Sequence, residues 1–151
     1  MSATCLVRRA QPGDLDALLM LCTEHARHEG TEHALAGNAG ALAQALFSTP
    51  PRLHAWVVEA RGQLVGYATA SAEFSTWQAG EFLHMDCLFV CVGWRGNGIG
   101  AALMEALVDF ARCENFMEIQ WQTPDWNVDA ARFYRWLGAE EKRKRRFFLG
   151  T

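Results

Sequence analysis

The chain has 151 residues, half of them apolar, and a formal net charge of −3. That length suits one domain of ordinary size, with six Trp and nine Phe to fill its core. The near-neutral balance excludes a global basic field for nucleic acid. No apolar run approaches the length of a membrane span, and the first residues lack a charged-then-apolar signal pattern, so a soluble cytoplasmic protein with no nucleic-acid or membrane partner is expected.

Residues 5–9 read as an opening strand, and Pro12-Gly13-Asp14 as a turn that caps a helix. Leu15, Leu18, Leu19 and Cys22 then recur at helical spacing. After a loop comes a second helix over residues 40–47, which stops before Pro50-Pro51 because proline cannot continue it. Strands are expected over residues 53–59 and 63–71 around an Arg61-Gly62 hairpin turn, and a third over residues 81–90. Next come a helix over residues 97–113, a strand over 117–122, a helix over 128–137 closed by Gly138, and terminal strands over 140–144 and 146–149. The order is βααβββαβαββ, an α/β domain with a mixed central sheet flanked by helices, taken as a single domain over residues 1–151.

Five cysteines, at 5, 22, 87, 91 and 113, form no C-x-x-C pair and are odd in number, which favours reduced thiols over disulfides. The apolar strand setting of Cys87 and Cys91 raises a thiol pKa and argues against a nucleophile. His25, His28 and His33 place metal ligands imperfectly and have no supporting Cys or H-E-x-x-H pattern, so no metal is expected.

Between the third strand and the third helix lies Trp94-Arg95-Gly96-Asn97-Gly98-Ile99-Gly100. Glycines at 96, 98 and 100 let the backbone approach a ligand closely. The first N–H groups of the following helix lack internal partners, and the helix dipole favours an anion there. Arg95 adds a cation. By itself the pattern is equally a tight strand-to-helix connection. It is not a Walker loop, because Ile99 is followed by Gly100-Ala101 rather than Gly-Lys-Ser/Thr, and its G-x-G-x-G spacing differs from the dinucleotide fingerprint.

A second motif, Asn127-Val128-Asp129-Ala130-Ala131-Arg132-Phe133-Tyr134-Arg135-Trp136-Leu137-Gly138, follows one strand later. Together with Arg95-x-x-Gly98-x-Gly100 it closely resembles the GNAT superfamily of acyl-CoA-dependent N-acyltransferases, and the element order resembles that fold over nearly the whole chain. Within the superfamily the chain is most similar to the diamine (spermidine/spermine) acetyltransferase group, on Asp86, Val90, Arg95 to Gly100, Trp126-Asn127 and Phe133-Tyr134. The group's acidic residue is typically Glu, where this chain has the shorter Asp86.

The resemblance implies acetyl-CoA as co-substrate, with Arg95, Gly96, Asn97, Gly98, Ile99 and Gly100 at its pyrophosphate and Asn127 and Ala130 at the pantetheine side. Leu88, Phe89 and Val90 would meet the acetyl and pantetheine parts through main chain, with an N–H at or beside Val90 aimed at the tetrahedral oxyanion. Tyr134 is the expected acid for the departing thiolate, a phenol and an alkyl thiol having similar pKa values. Asn127 equally suits a plain helix cap.

Alkylamines hold their proton to about pH 10.4 in water, so a base or water relay must free the acceptor. Asp86 is the candidate, either as that base or as a binder of the ammonium, on the expectation that strand alternation places His84, Asp86, Leu88 and Val90 on one face. Glu24 and Glu29, with Glu32, Glu73 and Glu81, are further candidates for attracting a cationic amine. The run Glu140-Glu141-Lys142-Arg143-Lys144-Arg145-Arg146 reads as a solvated edge strand or a reach toward coenzyme A phosphates. The function expected is acetyl transfer to a primary amine of a small cationic acceptor, polyamine or lysine-like, by direct attack in a ternary complex. Aminoglycoside or protein amino groups are alternative acceptors, a silent acyl-CoA sensor is an alternative of another class, and a homodimer is implied by resemblance.

Overall fold

Chain order and turn chemistry carry through into the architecture. The computed structural model describes residues 4–31 and 38–151. It contains β1 (Cys5–Arg9), α1 (Leu15–His28), α2 (Ala39–Phe47), β2 (His54–Ala60), β3 (Gln63–Ser75), β4 (Gly80–Val90), α3 (Ile99–Cys113), β5 (Ile119–Gln120) and α4 (Val128–Trp136), with 3-10 turns at Pro12–Asp14 and Val92–Trp94. Two compact units result, Met1–Trp121 with the sheet and Gln122–Thr151 with α4.

In the larger unit the sheet runs β1-β2-β3-β4-β5. Pairs from β1 to β4 are antiparallel and β4 to β5 is parallel. Tight turns explain the antiparallel part: Arg61 and Gly62 take positive φ between β2 and β3, the geometry a two-residue hairpin requires. The parallel strand needs a crossover, which α3 supplies.

Neighbouring residues of β3 divide the two faces. Tyr67 is buried with Leu18, Leu21, Leu46, Val57 and Phe89 beneath α1 and α2. Its neighbour Gly66 lies beneath α3, where an added Cβ would meet the Ile99 side chain at 3.4 Å. Ile99, Leu103, Met104, Leu107 and Ala111 are the buried stripe of α3, at the three-and-four spacing of one helix face. Each fully buried Leu or Ile is worth about 1.5–3 kcal/mol relative to exposure, which holds α3 onto the sheet.

Two features of β4 give it an irregular outer edge. It pairs with β3 up to Gly66↔Val90 but with β5 only at Leu83↔Ile119 and His84↔Gln120, so past His84 that edge is left open by β5. It also carries a β-bulge: Ala70 pairs with Met85 and Thr69 with Cys87, which leaves Asp86 as the extra residue. The expected alternation is therefore corrected. His84 sits opposite Ser71 whereas Leu88 and Val90 sit opposite Ala68 and Gly66, so His84 shares no face with them, and Asp86 falls at the kink.

The terminal strands expected over residues 140–144 and 146–149 are a second correction. Among the described residues, 139–151 hold no strand. Arg135 instead forks onto Glu141 through Nε and Nη2 at 2.9 and 3.0 Å, tying the start of the segment to α4. Five consecutive cations follow, whose mutual repulsion disfavours a ladder without a neighbouring strand. The strand expected over residues 117–122 shrinks to Ile119–Gln120.

Candidate active site

The glycine loop forms an open turn ahead of α3 within the larger unit. Past β4 the chain makes the 3-10 turn, then Gly96 and Gly98 take φ of +78° and +77°, the left-handed region that side chains disfavour. Gly98 is the residue preceding α3, and nothing lies within 4 Å of where its Cβ would stand. The loop is therefore open beside the start of α3, where the first N–H groups of a helix lack intrahelical partners and suit an anion. Arg95 donates from Nε to the Val90 carbonyl at 2.9 Å and lies over the Phe89 ring, while Asn97 donates to the Trp94 carbonyl at 3.0 Å. These bonds fix the loop's shape.

The same strand presents donors on the edge that β5 leaves open. Cys91 N–H bonds to the Val65 carbonyl on β3, and alternation turns the N–H groups of Val90 and Leu88 to the opposite edge, which β5 does not cover. Phe89 itself is buried in the core beneath α1, so only its main chain is available to a ligand.

Beneath α1 lies a seam of ionisable groups. His25 Nδ1 is 2.7 Å from Tyr67 Oη, and its Nε2 is 3.3 Å from Glu29 Oε1. Its ring stacks on Phe89 at 5.0 Å with planes 18° apart. The Cys91 thiol points at Glu24 Oε2 and the Cys87 thiol at Asp86 Oδ2, each at 3.8 Å. Asp86 is close enough to act electrostatically on both Cys22 and His25 of α1. The structure thus brings Glu24, Glu29 and Asp86 to one seam. Glu73 and Glu81 sit near the exposed β3–β4 hairpin instead, paired with Phe82 and Phe74. Glu32 and His33 lie outside the described residues.

Burial dominates the electrostatics here. It lowers the His25 pKa, opposed by Glu29, so the imidazole is held neutral. Burial pushes Tyr67 far above the ordinary phenol range and keeps its proton in place. The Cys87 thiol is pushed up to about 12, first by burial and then by Asp86, and Cys22 is raised by burial, so neither is a thiolate at neutral pH.

In the smaller unit, Asn127 Oδ1 accepts from the Ala130 N–H at 3.2 Å, the cap that starts α4. Tyr134 follows Ala130 by four residues on the same helix face, half-buried, with its ring 5.5 Å from Phe133.

Sequence reasoning missed the pairing of His25 with Tyr67. A signal existed: Leu18, Cys22, His25 and Glu29 recur at helical spacing, which places His25 on the inward face of α1. Nothing local named its partner, forty-two residues away.

Comparison with known proteins agrees with this geometry. The model of the acetyltransferase (GNAT) family matches residues 19–139. Thialysine N-epsilon-acetyltransferase of Bos taurus is 28% identical over 147 residues, covering 92% of this chain and 86% of its own. Spermidine/spermine N(1)-acetyltransferase-like protein 1 of Homo sapiens is 26% identical, over 89% of this chain and 21% of its own length. Among solved structures, aminoglycoside N-acetyltransferase AAC(6')-Iy in complex with CoA superposes with a TM-score of 0.85 at 17% identity, covering 99% of this chain and 97% of that one. A possible acetyltransferase from Clostridium difficile 630 gives 0.83 at 20% identity, over 97% of each chain. These two share the fold. With a matching family model, a glycine cradle and a half-open strand beside it, the chain belongs to the acetyltransferase (GNAT) family and is an N-acetyltransferase.

Proposed function

We propose that the chain transfers the acetyl group of acetyl-CoA to a primary amine of a small cationic acceptor, polyamine or lysine-like, by direct attack in a ternary complex. The observation that carries the acceptor class is the gathering of Glu24, Glu29 and Asp86 along the seam between α1 and β4. Three carboxylates there favour a cation. The relatives named for thialysine and for spermidine/spermine support the same class.

Arg95 and the loop from Gly96 to Gly100 hold the pyrophosphate of acetyl-CoA, on the N–H groups that open α3. The open edge of β4 takes the acetyl and pantetheine parts, with Val90 N–H donating to the oxyanion as the amine attacks the thioester. Asp86, at the bulge, takes the ammonium proton directly or through water. Tyr134 then protonates the departing thiolate, and Asn127 and Ala130 border the pantetheine arm. The whole chain, residues 1–151, acts as one catalytic domain in this reading.

The test is thiol release from acetyl-CoA with a panel of polyamines, lysine analogues, aminoglycosides and peptides. Turnover of small di- or polyamines and lysine analogues at the highest kcat/KM is expected. A clear preference for aminoglycosides or for peptide amino groups overturns the acceptor class.

A further inference from the structure

Resting on that acceptor reading, we propose that His25 is a positioning residue: its Nε2–H holds the Glu29 carboxylate in place for the cationic acceptor, in the one neutral tautomer that the Tyr67 hydroxyl selects. Three contacts lock the imidazole. Tyr67 Oη lies at 2.7 Å from Nδ1, Phe89 stacks beneath the ring at 5.0 Å, and Glu29 Oε1 lies at 3.3 Å from Nε2. Tyr67 is 1% exposed and keeps its proton, so its O–H is a permanent donor. When that donor serves Nδ1, the remaining ring proton is on Nε2 and faces the carboxylate. Tyr67 and Phe89 are core groups of the sheet, so the ring is set before any acceptor arrives.

Glu29 is the residue after the last turn of α1, where its side chain would otherwise sample several rotamers. The His25 contact restricts it. Asp86 acts on the same imidazole from β4, so the two carboxylates belong to one local field. The groups acting on His25 are His28 of α1, Glu29 just past its end, Tyr67 from β3 and Asp86 from β4, with Cys22 and Cys87 against Tyr67. A second proton on His25 goes to Nδ1 and displaces the Tyr67 O–H toward Cys22 or Cys87, which lie against that hydroxyl. The added positive charge then sits among the carboxylates and opposes a cationic amine. The affinity for the acceptor accordingly falls as His25 charges.

Two variants separate the contacts, because the amide of Gln reaches the place of Nε2 whereas that of Asn reaches only the place of Nδ1. His25→Asn is expected to raise KM for the amine about tenfold, the scale of one charge-assisted hydrogen bond. Its kcat and its KM for acetyl-CoA stay within about twofold of wild type, a spread too small to count as a lost contact. His25→Gln is expected to hold KM for the amine near the wild-type value. Equal amine KM values for the two variants overturn the proposal. In the wild-type protein, 15N imidazole shifts at neutral pH are expected to show Nε2 protonated and Nδ1 accepting, and the Nε2 resonance is expected to move in Glu29→Gln. A ring protonated on Nδ1 overturns the proposal without any variant. If wild type acetylates no cationic amine, the acceptor reading falls, and the tautomer measurement still decides whether His25 holds Glu29.

Discussion

Tyr67 Oη and His25 Nδ1 meet at 2.7 Å between the middle of the sheet and the helix that covers it. The bond joins two side chains that burial alone would leave costly, since each carries a polar atom into an apolar layer. Tyr67→Phe removes the hydroxyl and strands Nδ1. The expected loss is about 1–3 kcal/mol of stability, measured as a lower denaturant midpoint at unchanged m-value. A midpoint equal to wild type shows that the bond contributes nothing net.

Two histidines set the acid limb of stability. Burial lowers the pKa of His25, and burial followed by Arg9 lowers that of His54, whose Nδ1 receives Arg9 Nη2 at 2.9 Å. With folded values below the ordinary value of about 6.5, the unfolded chain binds protons that the folded one refuses. Their contribution is complete above that value and disappears as pH falls through the folded pKa values. Melting temperature is therefore expected to fall as pH drops below the ordinary histidine value of about 6.5. The slope should flatten in His54→Gln, and thermal melts across that range give the answer.

In the proposed mechanism Asp86 and Tyr134 move the protons. Asp86→Asn is expected to lower kcat by about 10²–10⁴-fold, the range for loss of a positioned acid or base, with coenzyme A affinity retained. Tyr134→Phe is expected to lower kcat within the same range, again with coenzyme A affinity retained. Calorimetric titration with coenzyme A beside steady-state kinetics separates chemistry from binding. An unchanged kcat in either variant removes that residue from the proposed mechanism.

The loop glycines differ in what they permit. Gly98→Ala meets no atom within 4 Å, yet it forces a side chain into φ +77°. A cost of about 1–2 kcal/mol is expected from backbone strain alone, with a higher KM for acetyl-CoA as the cradle distorts. Gly93→Ala, in open space without positive φ, is the control and should leave both quantities unchanged. Equal melting temperatures for the two variants would sink the strain argument.

Much of this architecture is local and was legible in the sequence. Pro12-Gly13-Asp14 starts α1, Arg61-Gly62 turns the hairpin, Gly98 opens α3 and Asn127 caps α4, because each depends on a backbone preference or a bond within a few residues. The order of elements up to α4 follows from the same signals. The cradle was visible because glycine spacing is itself the chemistry.

Features that depend on a partner strand or a packed helix were not legible. Alternation placed Asp86 with Leu88 and Val90, but a bulge is defined against the opposite strand, and it is the register of Thr69 and Ala70 that leaves Asp86 unpaired. The segment after α4 ends in Phe147, Phe148 and Leu149, residue types that suit a strand. A strand exists only with a neighbour to complete its ladder, and the Arg135–Glu141 pair holds the segment's start elsewhere. Local preferences thus determined the order of the elements and the glycine cradle. The carboxylate seam and its histidine required packing, because groups distant in sequence acquire a shared field only when burial brings them together.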